Sequence, residues 1–301
     1  MVRVVARAAF AALLLQAGVA AGEPPILHPD DAVRELSGLA VSRADPGVLW
    51  THNDSLNPPE LFALDASAHL RRRIYLQGLQ NLDWEDIAAF DHAGKPALLL
   101  ADIGDNFDWR THLTLYALSD PGAGVGETPV QRLWTLDFQY PDGPRDAEAL
   151  AVDEGRGEIL IISKRDWPPH LYRLPLPRAG APRGVQTAQA LGVITTLPPP
   201  RRGDPPEVAR RGRFRSMVTA LSFSADRSQA AVLTATRVYL YAHRAGESWD
   251  KTFARKPRRV EVPYLPQQEA VSFAADGRSL FVGSEAGGMP HSALVQLPLP
   301  P

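Results

Sequence analysis

The 301-residue chain contains no cysteine. That excludes a disulfide framework, a thiol nucleophile, thiolate metal ligation and a lipidated N-terminal cysteine. It also lacks a charge excess of either sign: 32 Lys and Arg face 34 Asp and Glu, for a formal charge of −2 at pH 7. Nothing in that balance points to nucleic acid or to an anionic membrane surface. Conventional hydrolase signatures are missing too, with no Gly-x-Ser-x-Gly elbow, no His-Glu-x-x-His and no P-loop. The one glycine-rich run, Gly122-Ala123-Gly124-Val125-Gly126, follows a strand and precedes no helix, which makes it a hairpin loop rather than a dinucleotide fingerprint.

Long hydrophobic runs are equally scarce. Arg3 and Arg7 precede an apolar stretch from Ala8 to Ala21, and Val19-Ala20-Ala21 offers small residues for cleavage before Gly22. The stretch is shorter than the ~20 residues a membrane-spanning helix needs. It reads as a Sec-type signal peptide over residues 1–21, with a buried N-terminal helix as the alternative. Arginine far outnumbers lysine, and the expected compartment is the periplasm or exterior of a bacterium. After cleavage no segment is long enough to enter a bilayer.

What the chain does have is an internal repeat. Glu35-Leu36-Ser37-Gly38-Leu39, Asp83-Trp84-Glu85-Asp86-Ile87, Asp146-Ala147-Glu148-Ala149-Leu150, Met217-Val218-Thr219-Ala220-Leu221 and Gln267-Gln268-Glu269-Ala270-Val271 align, each opening a short apolar run. Their polar positions, Ser37, Glu85, Glu148, Thr219 and Glu269, are 48, 63, 71 and 50 residues apart, the spacing of four-stranded propeller blades with variable loops. Further strands follow in each interval, separated by turns such as Asp45-Pro46-Gly47 and Asp276-Gly277. Residues 22–301 are therefore expected to form one all-β domain, a five-bladed β-propeller. The longest interval contains a Pro/Arg-rich loop, 197–215, and blade 5 runs out of chain before its outer strand. Pro25–His28 is expected to supply that strand and close the ring, since an uncompleted sheet edge invites association.

Topology then gathers residues. In an antiparallel meander the start of a blade's first strand and the end of its second lie on one face. That face should carry Glu85, Glu148 and Glu269 at its centre, ringed by Thr51-His52-Asn53-Asp54, Asp102-Ile103-Gly104-Asp105-Asn106, Ser163-Lys164-Arg165, Thr234-Ala235-Thr236-Arg237 and Ser284-Glu285. Three carboxylates at one axis repel unless compensated. A cation bound by Glu85, Glu148 and Glu269 with the hydroxyls of Ser37 and Thr219 is one answer, and the all-oxygen set favours Ca²⁺, with Mg²⁺ or Mn²⁺ behind it. Ion pairs from Lys164, Arg165 or Arg237 are another, and a wide, wet channel is a third.

The combination of His52-Asn53-Asp54, Asp83-Trp84-Glu85-Asp86, Asp102-Ile103-Gly104-Asp105-Asn106, Tyr140-Pro141-Asp142-Gly143 with Asp146-Ala147-Glu148, and Ser163-Lys164-Arg165 resembles a family of uncharacterised bacterial secreted β-propellers. That resemblance implies the fold and no reaction. The acidic and hydroxylic residues around a five-bladed axis are also similar in arrangement to those of calcium-activated nucleotidases and, more loosely, of β-propeller phytases and esterase-like propellers. If chemistry occurs, metal-assisted hydrolysis of a phosphate ester or anhydride is the expected class. Lys164, Arg165 and Arg237 would then stabilise anionic charge, and His52 or Asp105 would handle the proton. The competing class is a non-catalytic module in which a cation or ion pairs merely fix the axis; in either class a monomer is expected whose mouth takes an anionic small molecule, a glycan or a partner protein.

Overall fold

The computed structural model describes residues 24–124, 129–178, 180, 182–199 and 217–299. The expected signal peptide, the tip of the glycine-rich loop and most of the Pro/Arg-rich loop lie outside the described residues.

The strands form five sheets, antiparallel throughout except where the short β12 (Gln186–Thr187) joins the edge of the second in parallel. Blade 1 contains β1 (Leu36–Val41), β2 (Leu49–Asn53), β3 (Glu60–Leu64) and β4 (Leu70–Tyr75). Blade 2 contains β5 (Trp84–His92), β6 (Lys95–Asp102), β7 (Leu113–Ser119) and β8 (Arg132–Gln139). Blade 3 is built from β9 (Ala147–Asp153), β10 (Glu158–Ser163) and β11 (His170–Pro175), followed by a short β12 (Gln186–Thr187) and its outer β13 (Gln189–Val193). Blade 4 has β14 (Val218–Phe223), β15 (Gln229–Thr234), β16 (Arg237–Ala242) and β17 (Arg258–Val260); blade 5 has β18 (Gln268–Phe273), β19 (Ser279–Ser284) and β20 (Ala293–Pro298). The first strands pack on one another in sequence, and β18 packs on β1, so the ring is closed and the protein is a five-bladed β-propeller.

Small residues make this convergence possible. Ala40, Ala88, Ala89, Ala149, Ala151, Ala220 and Ala270 lie on the inner strands, where five backbones crowd one axis and larger side chains would collide. The larger apolar residues point between blades instead. Five hydrophobic clusters result, one at each blade-to-blade seam. Two buried tryptophans fasten seams with hydrogen bonds: Trp50 Nε1 donates to Asp120 Oδ1 at 2.9 Å, and Trp249 Nε1 to Asp153 Oδ2 at 2.9 Å. Asp120 also accepts from Ser42 Oγ and from the backbone N–H of Arg43. Blade 2 thereby grips blade 1.

Closure takes a reduced form. Blade 5 has three strands, and the expected Pro25–His28 strand is a single antiparallel bridge, in which Leu27 and Leu294 exchange both N–H to O bonds at 2.8 Å. His28 Nδ1 lies 3.0 Å from the Ser292 carbonyl, and Ala286 N donates to the Arg34 carbonyl at 2.9 Å, extending the tie. The prolines at 24–25 leave no N–H to lengthen the ladder at Pro24 or Pro25. Blade 3's outer strand is reached by an indirect path. Gln186 and Thr187 join the edge of β8 in parallel, beside Phe138 and Gln139, and only then does the chain cross to β11. A short helix, α1 (Trp249–Phe253), has no counterpart in the repeat; its Trp249 stacks on Phe223 at 3.8 Å.

Candidate axial acidic site

The repeat position is a β-bulge. Register slips past Glu85 in β5, Glu148 in β9, Thr219 in β14 and Glu269 in β18, leaving each without a cross-strand partner. A bulge re-aims its side chain out of the alternating pattern, and this recurrence explains why the same sequence position faces the axis in four blades. In blade 1 the slipped residue is Gly38, one place after Ser37, with φ of +67°. A Cβ there would press on the inner backbone of blade 2 at Asp86 and Ile87. Glycine is required by both the conformation and the close approach.

The bulges and the strand ends enclose an axial cavity of about 570 Å³, lined by Asp54, Glu85, Glu148, Lys164, Arg165 and Glu269 among others. Its carboxylates form two triads that share Asp54. Ligand oxygens of Asp54, Asp83 and Glu85 lie within 4.8 Å of one another, as do those of Asp54, Glu269 and Glu285. Burial, reinforced by the charge of Glu269, pushes Asp54 up to about 7. Burial and then Asp146 push Asp83 up to about 6. Glu85 is raised well above the ordinary range by burial and by Asp54, and Glu285 is raised by burial and its neighbour Glu269. Gly104 makes room for this, because a methyl group there would overlap the carboxylates of both Glu85 and Asp83.

Two cations reach the cavity, and both are engaged. Lys164 Nζ pairs with Glu148 Oε1, and Arg165 Nε pairs with Asp146 Oδ2 at 2.5 Å while its Nη2 donates to Asn106 Oδ1. Among the described residues, no ion pair reaches Asp54, Asp83, Glu85, Glu269 or Glu285. Two further acceptors lining the cavity have no hydrogen-bond partner among the described residues: Glu148 Oε2 and Gln268 Oε1, on residues 3% and 1% exposed. The axial well is thus rich in acceptors and short of donors.

Of the remaining candidates Thr219 lines the cavity, while Ser37, His52, Asp105 and Arg237 do not. His52 is fully buried, edge-on to Trp84 with ring centroids 5.8 Å apart, and burial lowers it to about 4. It belongs to the seam between blades 1 and 2 rather than to the mouth. Asp105 accepts the backbone N–H groups of Trp109 and Arg110, each at 3.0 Å, and so shapes its own loop. Asp102, which pairs with Arg110 at 2.7 Å, holds the same loop from the strand side. Arg237 opens β16 and its Nη1 lies 3.5 Å from Thr236 Oγ1, away from the cavity wall. Ser37 and Thr219 use their hydroxyl protons as seam stitches: Ser37 Oγ donates to the Glu85 carbonyl at 2.9 Å, and Thr219 Oγ1 to the Gln268 carbonyl at 2.8 Å. Asp86, deeper on the axis, accepts the backbone N–H groups of Ile87, Leu150 and Leu221 and joins blades 2, 3 and 4.

Asp54 and Glu285, which the sequence places among the polar strand ends of the mouth, fall in the triads, and so does Asp83, which opens the blade 2 repeat. Their signal in the sequence is position at strand ends, with nothing in residue type to separate them from Asp102 or Asp105. No family model and no curated protein matches this chain. Among solved structures it is similar to one from a nidogen/laminin complex, with a TM-score of 0.44 at 16% identity, over 83% of this chain and 72% of that one. It is also similar to U3-55K and to the RRP9 WD40 repeats, both with TM-scores of 0.41 at 13% identity, over 88% of this chain and 68% and 67% of theirs. The five-bladed architecture rests on the strand pairing itself.

Proposed function

We propose that the protein is a binding propeller whose axial well holds a divalent cation, with Ca²⁺ the first candidate. The observation that carries this reading is the pair of carboxylate triads sharing Asp54, with no ion-pair partner among the described residues. Unpartnered buried acceptors on Glu148 and Gln268 in the same cavity support it independently. An all-oxygen donor set of carboxylates and a carboxamide suits Ca²⁺, and Mg²⁺ or Mn²⁺ would compete. Binding would expel the protons that burial retains on Asp54 and Asp83, so affinity would rise with pH. The engagement of Lys164 and Arg165 argues against a bare anion as the primary ligand.

A hydrolytic reading survives in altered form. His52 and Asp105 do not line the cavity, but Asp54 does, and its value near 7 suits a proton carrier at neutral pH. In that reading the cation orients water and a phosphoryl or carboxyl group. The N-terminal segment, with Arg3 and Arg7 ahead of an apolar run, supports export to the periplasm or beyond.

The test is a titration of metal-free protein with Ca²⁺, Mg²⁺ and Mn²⁺, followed by calorimetry and melting temperature, in wild type and Glu85→Gln. A specific site adds about 2.7 kcal/mol at a hundredfold excess over Kd. Wild type without a thermal shift would end the cation reading. Incubating loaded protein with nucleotides, phytate and aryl esters decides the second reading, with Asp54→Asn as the inactive control.

A further inference from the structure

The loops around the axial well carry an unusual load of exposed apolar side chains. Leu56 is 87% exposed, Phe107 77%, Trp109 72%, Met289 59%, Tyr264 56% and Trp167 43%. These six come from all around the ring: Leu56 follows β2, Phe107 and Trp109 follow β6, Trp167 follows β10, Tyr264 precedes β18, and Met289 follows β19. Each lies beside the cavity wall in sequence or on it, since Asp54, Asn106, Arg165, Tyr264 and Gly287 line the well. The loops of blades 2 and 3 touch through the Arg165 to Asn106 bond, and the Phe107 and Trp109 rings meet at 5.3 Å.

Aromatic residues are enriched where proteins bind partners, and lysine, glutamate and aspartate are depleted there unless complementary charge meets them. Here an aromatic rim encircles a well in which the five carboxylates of the two triads have no ion-pair partner among the described residues. The well is also far larger than one ion requires, at about 570 Å³. A divalent ion leaves charge to spare, because the two triads hold five carboxyl groups. The missing component is a donor-bearing cation on an apolar stem, which is the chemistry of arginine or lysine within a hydrophobic peptide. A guanidinium can reach paired carboxylates with its fork of N–H groups and lie against aromatic rings at the same time.

We propose that this mouth docks a polypeptide segment, inserting a basic side chain into the axial well while flanking apolar residues pack on Phe107, Trp109 and Trp167. The proposal deepens the binding reading above and shares its acidic well, but it uses the rim, which the cation does not need. A random twelve-residue phage-displayed peptide library selected on the immobilised full chain is the probe. The expected result is enrichment of peptides with Arg or Lys between apolar residues. A synthetic copy of the leading peptide should weaken at least tenfold on Arg→Gln exchange within it, on the Phe107→Ala/Trp109→Ala double substitution in the protein, and on Glu269→Gln. The rim double variant should keep the wild-type melting temperature and Ca²⁺ response, which separates failure of docking from failure of the cation reading. Selection of peptides without basic residues, equal binding to the rim double variant, or no enrichment over an uncoated surface would overturn the proposal.

Discussion

The two ends of the axis are made from the same five strands and treat charge in opposite ways. At the mouth, Asp54, Asp83, Glu85, Glu269 and Glu285 meet without an ion pair among the described residues, and burial pushes Asp54 up to about 7 and Asp83 up to about 6. At the far end, Arg43 reaches Asp91 at 2.6 Å and Glu154 at 2.5 Å, Arg227 also pairs with Glu154, and the buried Asp120 is saturated by Trp50, Ser42 and the Arg43 backbone. Between these groups lies a cavity of about 370 Å³ walled by Leu39, Ile87, Val152, Leu221 and Phe273. One end satisfies its acids internally and so contributes to stability; the other leaves the acids of its two triads without an ion pair among the described residues. The contrast separates a carboxylate that holds the fold from one that weakens it, which residue type alone does not do.

The sharpest way to break this comparison is to remove one carboxylate from each end. Asp120→Ala strands Trp50 Nε1 and Ser42 Oγ in a dry seam, and should cost about 3 kcal/mol in urea unfolding. An unchanged denaturation midpoint would mean that this network does not hold blades 1 and 2. Next in size is closure: Leu27→Pro deletes the N–H that meets Leu294 O, and a lost bond with an orphaned carbonyl should cost about 2 kcal/mol. Because Glu285 follows β19 on this seam, the variant should also blunt the cation response at the mouth. A variant with wild-type melting and response would show that the bridge is dispensable.

The pH dependence sharpens the contrast further. Asp54 rises from about 4 to about 7 on folding, so its stabilising proton is fully held below about 4 and lost as pH climbs through about 7. Metal-free protein should therefore lose up to about 1.4 kcal/mol per pH unit from this group across that window. His52 acts with the opposite sign: lowered to about 4, it contributes above 6.5 and loses its contribution as pH falls toward 4. Comparing wild type with Asp54→Asn by melting at pH 4 to 8 cancels the histidine, and identical slopes would contradict the burial of Asp54. A smaller effect is expected from Glu85→Gln, which relieves repulsion and should raise metal-free stability at pH 8 by about 1 kcal/mol. A loss of stability would place Glu85 among the paired acids instead. Smallest of all, Arg237→Ala should stay within about 0.5 kcal/mol and leave cation binding untouched. A large change in either would return Arg237 to the site.

How much of this was legible beforehand depends on what each residue's position encodes. The blade starts at 37, 85, 148, 219 and 269 were readable because a polar residue ahead of a short apolar run recurs at blade spacing. Glu85, Glu148 and Glu269 were readable as axial for the same reason. Blade 1 shows the limit: its bulge falls on Gly38, so the aligned Ser37 turns its hydroxyl to the neighbouring backbone. His52 and Asp54 are two residues apart, and strand alternation would put them on one face; one ends in the seam and the other in the well because β2 stops at Asn53 and Asp54 already belongs to the following loop. Lys164 and Arg165 carried the right charge and reached the right place, but their partners, Glu148 and Asp146, come from another strand of the blade.

The sequence by itself determined the five blades, their order and the gathering of polar strand ends on one face. These follow from periodicity, turn residues and the direction of an antiparallel meander, all of which are local. Only the tertiary structure decided which acids meet without a counterion, that two triads share Asp54, and that Asp105 and Asp102 shape a loop instead. Those outcomes depend on where each bulge aims a side chain and on distances of a few Å between different blades, over which charge interactions and burial change steeply.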